Sequence, residues 1–155
     1  MTRRNPIPRR SRFFLGCEGE SEQGYGGFLG RLAEVQGLNL HIDTVNLQPA
    51  GDPLALAQKA IKAAIKGRAR GAYKARAVLL DADTLMDNPQ RAREAKKLLQ
   101  DETFIAIWQH QDHEAFLLRH FIGHQNDNPP RGATLTALQG QWNGYRIERV
   151  CLPAI

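Results

Sequence analysis

Cysteine is scarce. The chain has 155 residues and two cysteines, Cys17 and Cys151. One pair makes no disulfide framework, and without a C-x-x-C motif neither a zinc ribbon nor a dithiol redox centre is expected. Cys17 lies in an apolar run, where a buried, inert thiol is the expected role. Long hydrophobic runs are missing too: no stretch approaches the ~20 apolar residues that cross a bilayer. Phe13-Phe14-Leu15 is too short for the apolar core of a secretory signal. The expectation is a cytoplasmic protein with no membrane partner. No G-x-x-x-x-G-K-[ST] is present, and no G-x-G-x-x-G follows a strand, which argues against ATP and dinucleotide binding.

Composition is otherwise that of a globular domain, 42% hydrophobic and 24% charged, long enough to bury a core without staples. The formal net charge is +5, and the excess is clustered. Arg3, Arg4, Arg9, Arg10 and Arg12 crowd the start. Lys59, Lys62, Lys66, Arg68, Arg70, Lys74 and Arg76 form a second block. Such blocks suit a polyanionic partner, because each contact with a phosphate releases counterions. A solvated tail and a solvated helix face are the plainer reading of the same residues.

Residues 1–11 combine Pro6 and Pro8 with arginines and show no apolar periodicity, which predicts a flexible basic arm before a single domain over 12–155. Residues 12–18 predict a buried strand ending in a carboxylate. Phe28, Leu29, Leu32 and Val35 have helical spacing over 25–35. Residues 38–47 alternate as a half-buried strand, with Leu38, Leu40 and Ile42 inward and Asn39, His41 and Asp43 outward. A helix is predicted over 53–70, with Leu54, Ala57, Ile61, Ala64 and Ile65 on its apolar stripe and Lys59, Lys62, Lys66 and Arg70 opposite. Strands at 76–81 and 103–108, helices at 90–100 and 113–122, and a short helix at 133–138 complete the series. The alternation predicts an α/β fold with a mainly parallel sheet covered by helices. The strands near 13–18, 76–81 and 103–108 are apolar throughout, as central parallel strands are.

Acidic residues stand where strands run out. Glu18 ends the first. Asp81 and Asp83 end the third, two apart, so an extended chain would point both to one side. Ligands of open α/β sheets bind beyond the carboxyl ends of the strands. Carboxylates gathered there repel one another unless a cation joins them, and Mg²⁺ takes oxygen ligands of this kind. Alternatively, Asp81 and Asp83 only begin a loop and cap the next helix. Gly24, Gly26 and Gly27 are expected to let the backbone turn tightly beside the site.

The histidines have plainer readings. His113, His120 and His124 share a helical face by spacing. His120 and His124, four apart, have the separation of a zinc pair, but no further ligand stands beside them in the sequence, so a packed or exposed face is expected. His110 and His113 flank the end of the fourth strand, where a histidine can act on a leaving group; surface loop positions are the favoured reading.

Cys17-Glu18-Gly19-Glu20 with Tyr25 and Phe28, then Leu79-Leu80-Asp81-Ala82-Asp83, then His113-Glu114-Ala115-Phe116-Leu117-Leu118-Arg119-His120-Phe121, resemble in order and spacing the motifs of Toprim domains, in particular the RloB-like branch. Arg9-Arg10-Ser11-Arg12 is also similar. The resemblance covers about residues 9–122. It departs at Ser21-Glu22-Gln23, where the branch commonly carries Thr-Glu. It implies a Toprim-like, Rossmann-like fold and a metal-dependent protein linked to nucleic-acid cleavage in bacterial defence against phage. Glu18 would act in acid/base or metal chemistry, Asp81 and Asp83 would hold Mg²⁺ or Mn²⁺, and Glu114 would support the site. Arg9, Arg10, Arg12, Lys59, Lys62, Lys66 and Arg70 would grip DNA, transfer RNA or other RNA. Two functions stand in competition: a Mg²⁺-dependent nuclease, and a non-catalytic Toprim-like binding or sensor module working with a partner defence protein.

Overall fold

Four parallel strands form the centre of the molecule, in the order β2-β1-β3-β4. The structure is a computed structural model that describes residues 9–50 and 52–146. The strands are β1 (Ser11–Cys17), β2 (Leu40–Asn46), β3 (Ala75–Asp81) and β4 (Ile105–Gln109). Helices α1 (Glu20–Val35), α2 (Pro53–Gly67), α3 (Asp83–Asp87) and α4 (Pro89–Asp101) lie between them, and α5 (His113–Leu118) and α6 (Thr134–Gln141) follow β4. The parallel α/β architecture is the expected one, and β1, β3 and β4 are neighbours.

Alternation along β1 and β3 sends successive side chains to opposite faces. Phe14, Val78 and Leu80 pack with Leu56, Ala57, Ala60 and Ala64 of α2 and Ala95 and Leu99 of α4. Leu15, Cys17 and Leu79 form a smaller cluster on the other face. Burying side chains the size of Leu56, Leu80 and Leu99 contributes about 1.5–3 kcal/mol each, so the α2–α4 face carries most of the stabilisation. Pro53 starts α2, and Asp52 caps it by accepting from the N–H groups of Leu54 and Ala55 at 2.9 and 3.0 Å, satisfying donors the helix cannot satisfy itself.

Several expectations need correction. The glycines of 24–27 do not make a turn; they lie inside α1, which begins at Glu20. A Cβ on Gly26 would collide with the Thr44 methyl and come within 2.9 Å of Leu15, so this glycine lets α1 approach the sheet. The predicted apolar stripe of that helix is not its buried face: Val35 is exposed, while Ser21, Glu22, Gly26 and Ala33 are buried. On β2, Asp43 is buried and Leu38, before the strand, is exposed. On α2, Ile65 is exposed and Ala60 is buried instead. Among the described residues the fourth strand is an edge strand with Ile105 and Ile107 exposed, and no helix covers that face of it. The helix expected over 113–122 ends at Leu118. Residues 1–8 of the expected basic arm lie outside the described residues; Arg9 and Arg10 precede β1, and Arg12 is within it. Among the described residues no helix is long and apolar enough to cross a membrane.

Candidate functional site

The carboxyl ends of β1, β3 and β4 bring the acidic residues together. β1 ends at Cys17, and Glu18 follows it into the turn before α1. Its Oε2 accepts a hydrogen bond from the backbone N–H of Asp81, the last residue of β3, at 3.1 Å. Glu18, Ser21, Glu22, Asp81, His113 and Glu114 line a cavity of about 290 Å³. Glu18 also borders a smaller one of about 110 Å³, with Asp52, Thr84 and Asp87.

Electrostatics mark this edge. Burial and the neighbouring carboxylates, Glu18 first, push Asp81 up to about 9. Burial raises Glu22 to about 7, with Glu18 and Glu114 adding to the rise. Glu18 is raised by burial and by Asp83, against the lowering effect of the Asp81 N–H. Among the described residues no lysine or arginine forms an ion pair with Glu18, Glu22, Asp81 or Glu114. Asp81 Oδ1 is buried with no hydrogen-bond partner among the described residues. An all-oxygen donor set with uncompensated repulsion fits a hard divalent cation in its chemistry. In spacing it is not preassembled: among the described residues no three His, Cys, Asp or Glu side chains stand as a group that could hold a metal ion.

Asp83 is displaced from its expected position. The chain does not stay extended after β3; Ala82 is helical and Asp83 opens α3, so the two-residue spacing does not align it with Asp81. Its Oδ2 lies 3.7 Å from Arg131, which forks onto Asp87 at 2.7 and 3.1 Å. Asp83 thus stands at the rim, close enough to raise both Glu18 and Asp81. Glu114, in the first turn of α5, accepts from the Tyr145 hydroxyl at 2.9 Å, and that hydroxyl meets Ser21 Oγ at 2.6 Å.

Glu22, Ser21 and Tyr145 are additions that motif reading overlooked. Glu22 sits three residues after Gly19, the residue before α1, and its Oε2 accepts from the Gly19 N–H at 3.1 Å. That i, i+3 spacing is the half of a capping box legible in sequence; its burial was not. His113 also departs from expectation. It is buried, not a surface loop residue, and burial lowers it to about 4. Its Nδ1 meets the Gln109 amide nitrogen at 2.6 Å and its Nε2 has no partner. His110 is exposed, as expected. His120 and His124 have separate partners: His120 contacts Tyr25 and the Phe116 carbonyl, and His124 contacts Asp127.

The basic residues lie at the other edge. β1 runs seven residues from Ser11 to Cys17, a rise of about 20 Å, so Arg9, Arg10 and Arg12 lie at the opposite end of the strand from Glu18. α2 starts beside Glu18 at Pro53, and its 15 residues carry the chain about 22 Å away. Lys59, Lys62 and Lys66 are exposed along it, and Arg70 ends near Asp43 at 3.7 Å. Arg12, expected to grip phosphate, is already engaged within the fold. It is nearly buried, pairs with Asp43, and donates to the carbonyls of Gly67 and Gly71. Against burial, Tyr73 and Arg12 hold Asp43 below its ordinary value. Arg10 pairs with Glu34 at 2.7 Å, exposed.

No family model, curated protein or solved structure matches the chain.

Proposed function

We propose that the protein is a Mg²⁺- or Mn²⁺-dependent nuclease of the Toprim, RloB-like kind, cleaving phosphodiester bonds of DNA or RNA in the cytoplasm during defence against phage. One observation supports this above the others: among the described residues Asp81 Oδ1 is buried and without a partner, beside Glu18 and Glu22, with which no Lys or Arg pairs; only Asp83, at the rim, has a cation, Arg131. A buried carboxylate left in this condition costs stability, and a cation that binds only the folded state repays it.

Glu18 and Asp81 would hold the ion, with Asp83 joining from the rim. A bound divalent ion would polarise the scissile phosphate and offset its charge. Glu18, raised above its ordinary value by burial, is a candidate to accept a proton there. Glu114, fixed by Tyr145, orients the far wall. Nucleic acid would bridge from this edge along the Lys59, Lys62 and Lys66 stripe, a reach of about 9 to 20 Å, or about three to six base pairs at 3.4 Å each.

A second reading has support of its own. Arg12 and Arg10, two of the arginines expected to grip phosphate, are already paired with Asp43 and Glu34. That suits a binding or sensor module acting with a partner protein. The two readings part in one experiment: melting with and without Mg²⁺ or Mn²⁺, and incubation with plasmid and transfer RNA, with chelator as control. Metal-dependent stabilisation with cleavage supports the nuclease; stabilisation or inertness without cleavage supports the module.

A further inference from the structure

The carboxylate edge holds few cations, yet a phosphodiester arriving there carries negative charge into a ring of acids. The arginines of β1 lie at the far end of the strand, and the stripe on α2 begins about 9 Å along the helix from Pro53 and runs away from the site. Arg131 does not. Its side chain is more than half exposed, forks onto Asp87 at 2.7 and 3.1 Å, and reaches to 3.7 Å from Asp83. Asp83 and Asp87 are the first and last residues of α3, and Asp87 borders the smaller cavity beside Glu18.

The segment that carries Arg131 is pinned to this edge. Ala133 N–H donates to the Pro130 carbonyl at 2.9 Å. Thr134, which opens α6, donates its hydroxyl at 2.6 Å to Asp112 Oδ2, and Asp112 Oδ1 caps α5. The guanidinium therefore swings from a fixed base. Its planar fork matches carboxylate and phosphate alike, and an exposed carboxylate pair is a weak hold on it.

We propose that Arg131 is the phosphate-binding residue of the site: it clamps Asp83 and Asp87 while the site is empty, and exchanges Asp83 for a phosphate oxygen of nucleic acid when Asp83 turns to a divalent ion. This rests on the nuclease reading of the same edge. Arg91, also near this edge, is tied to Asp52, whose second oxygen caps α2, and Arg119 is committed to the carbonyls of His110 and Asp127; among the described residues neither pairs with Asp83.

The exchange makes two effects of one substitution run in opposite directions. Arg131→Ala removes a cation that competes for Asp83, so Mn²⁺, counted as free ion by electron paramagnetic resonance, binds the variant about 2- to 10-fold more tightly. The same variant binds fluorescein-labelled transfer RNA and a short DNA duplex about 10-fold more weakly in Ca²⁺, and its salt slope falls by about one. Arg131→Lys keeps the charge but not the fork and recovers only part of the binding. Melting curves check that both variants fold; if Arg131→Ala does not, Arg131→Lys carries the same comparison. A residue that only tethers its loop would lower the melting temperature and leave Mn²⁺ affinity and salt slope alone, which overturns the inference while leaving the nuclease reading intact. Wild-type protein that binds no Mn²⁺ removes the nuclease reading, and this inference with it.

Discussion

The Glu18 carboxylate takes the backbone N–H of Asp81 at 3.1 Å, so the turn after β1 and the last residue of β3 share one hydrogen bond at the carboxyl edge of the sheet. This contact needs only an acceptor. Glu18→Gln keeps one and removes a charge. The variant is expected to fold and, in chelator at pH 8, to melt at least as high as wild type, because relief of repulsion favours an empty acidic site. A clear drop in melting temperature would assign Glu18 a structural role instead.

Stability should depend on pH with an unusual sign. An acid raised in the fold contributes fully below its unfolded value, near 4, and that contribution is lost as pH climbs through the folded value. Glu22 at about 7 and Asp81 at about 9 therefore predict a metal-free melting temperature that declines from about pH 5 to pH 9. Glu22→Gln should flatten the part near neutrality and stabilise by about 1 kcal/mol or more at pH 8. Scanning calorimetry in chelator reads both; a melting temperature that rises over this range contradicts the assignment.

Arg12 and the α2 lysines should separate cleanly. Arg12→Ala strips the buried Asp43 of its nearest cation, leaves only Arg70 at 3.7 Å beside it, and is expected to cost up to about 3 kcal/mol, seen as a lower urea midpoint. Reversing Lys59 and Lys62 should leave that midpoint nearly unchanged. It should instead weaken nucleic-acid binding for all sequences alike and flatten its salt dependence. Equal salt slopes would make the stripe a solvated surface.

The order of elements was legible because apolar runs of strand length alternate with helical spacing, and the position of Glu18 and Asp81 followed from where those runs stop. Burial was less legible. Gly26, read as a turn residue, is a close contact between α1 and the sheet, and a glycine reads alike in either role. Asp43, read as the outward half of an alternation, is buried because that face of β2 is covered as well: Val45 beside it packs against the main core, and Arg12 and Tyr73 donate to Asp43. Asp83 was misplaced because the turn at Ala82 leaves no mark in a D-x-D spacing. Glu22 escaped notice because a capping residue and a buried wall of a cavity carry the same sequence signature.

Cys17 offers a check on the core. It is fully buried, and burial pushes its thiol up to about 12. In native protein it should resist thiol reagents and react only on unfolding; a Cys151→Ser variant leaves Cys17 as the one thiol. Rapid labelling under native conditions would place it outside the closed core.

Nicking of supercoiled plasmid and of transfer RNA in Mg²⁺ or Mn²⁺, compared between wild type and Glu18→Gln, tests the central claim most directly. The account predicts cleavage by wild type that chelator abolishes, and cleavage lost by at least 100-fold in Glu18→Gln, the lower end for a positioned acid or base. Equal cleavage by the two proteins would contradict it.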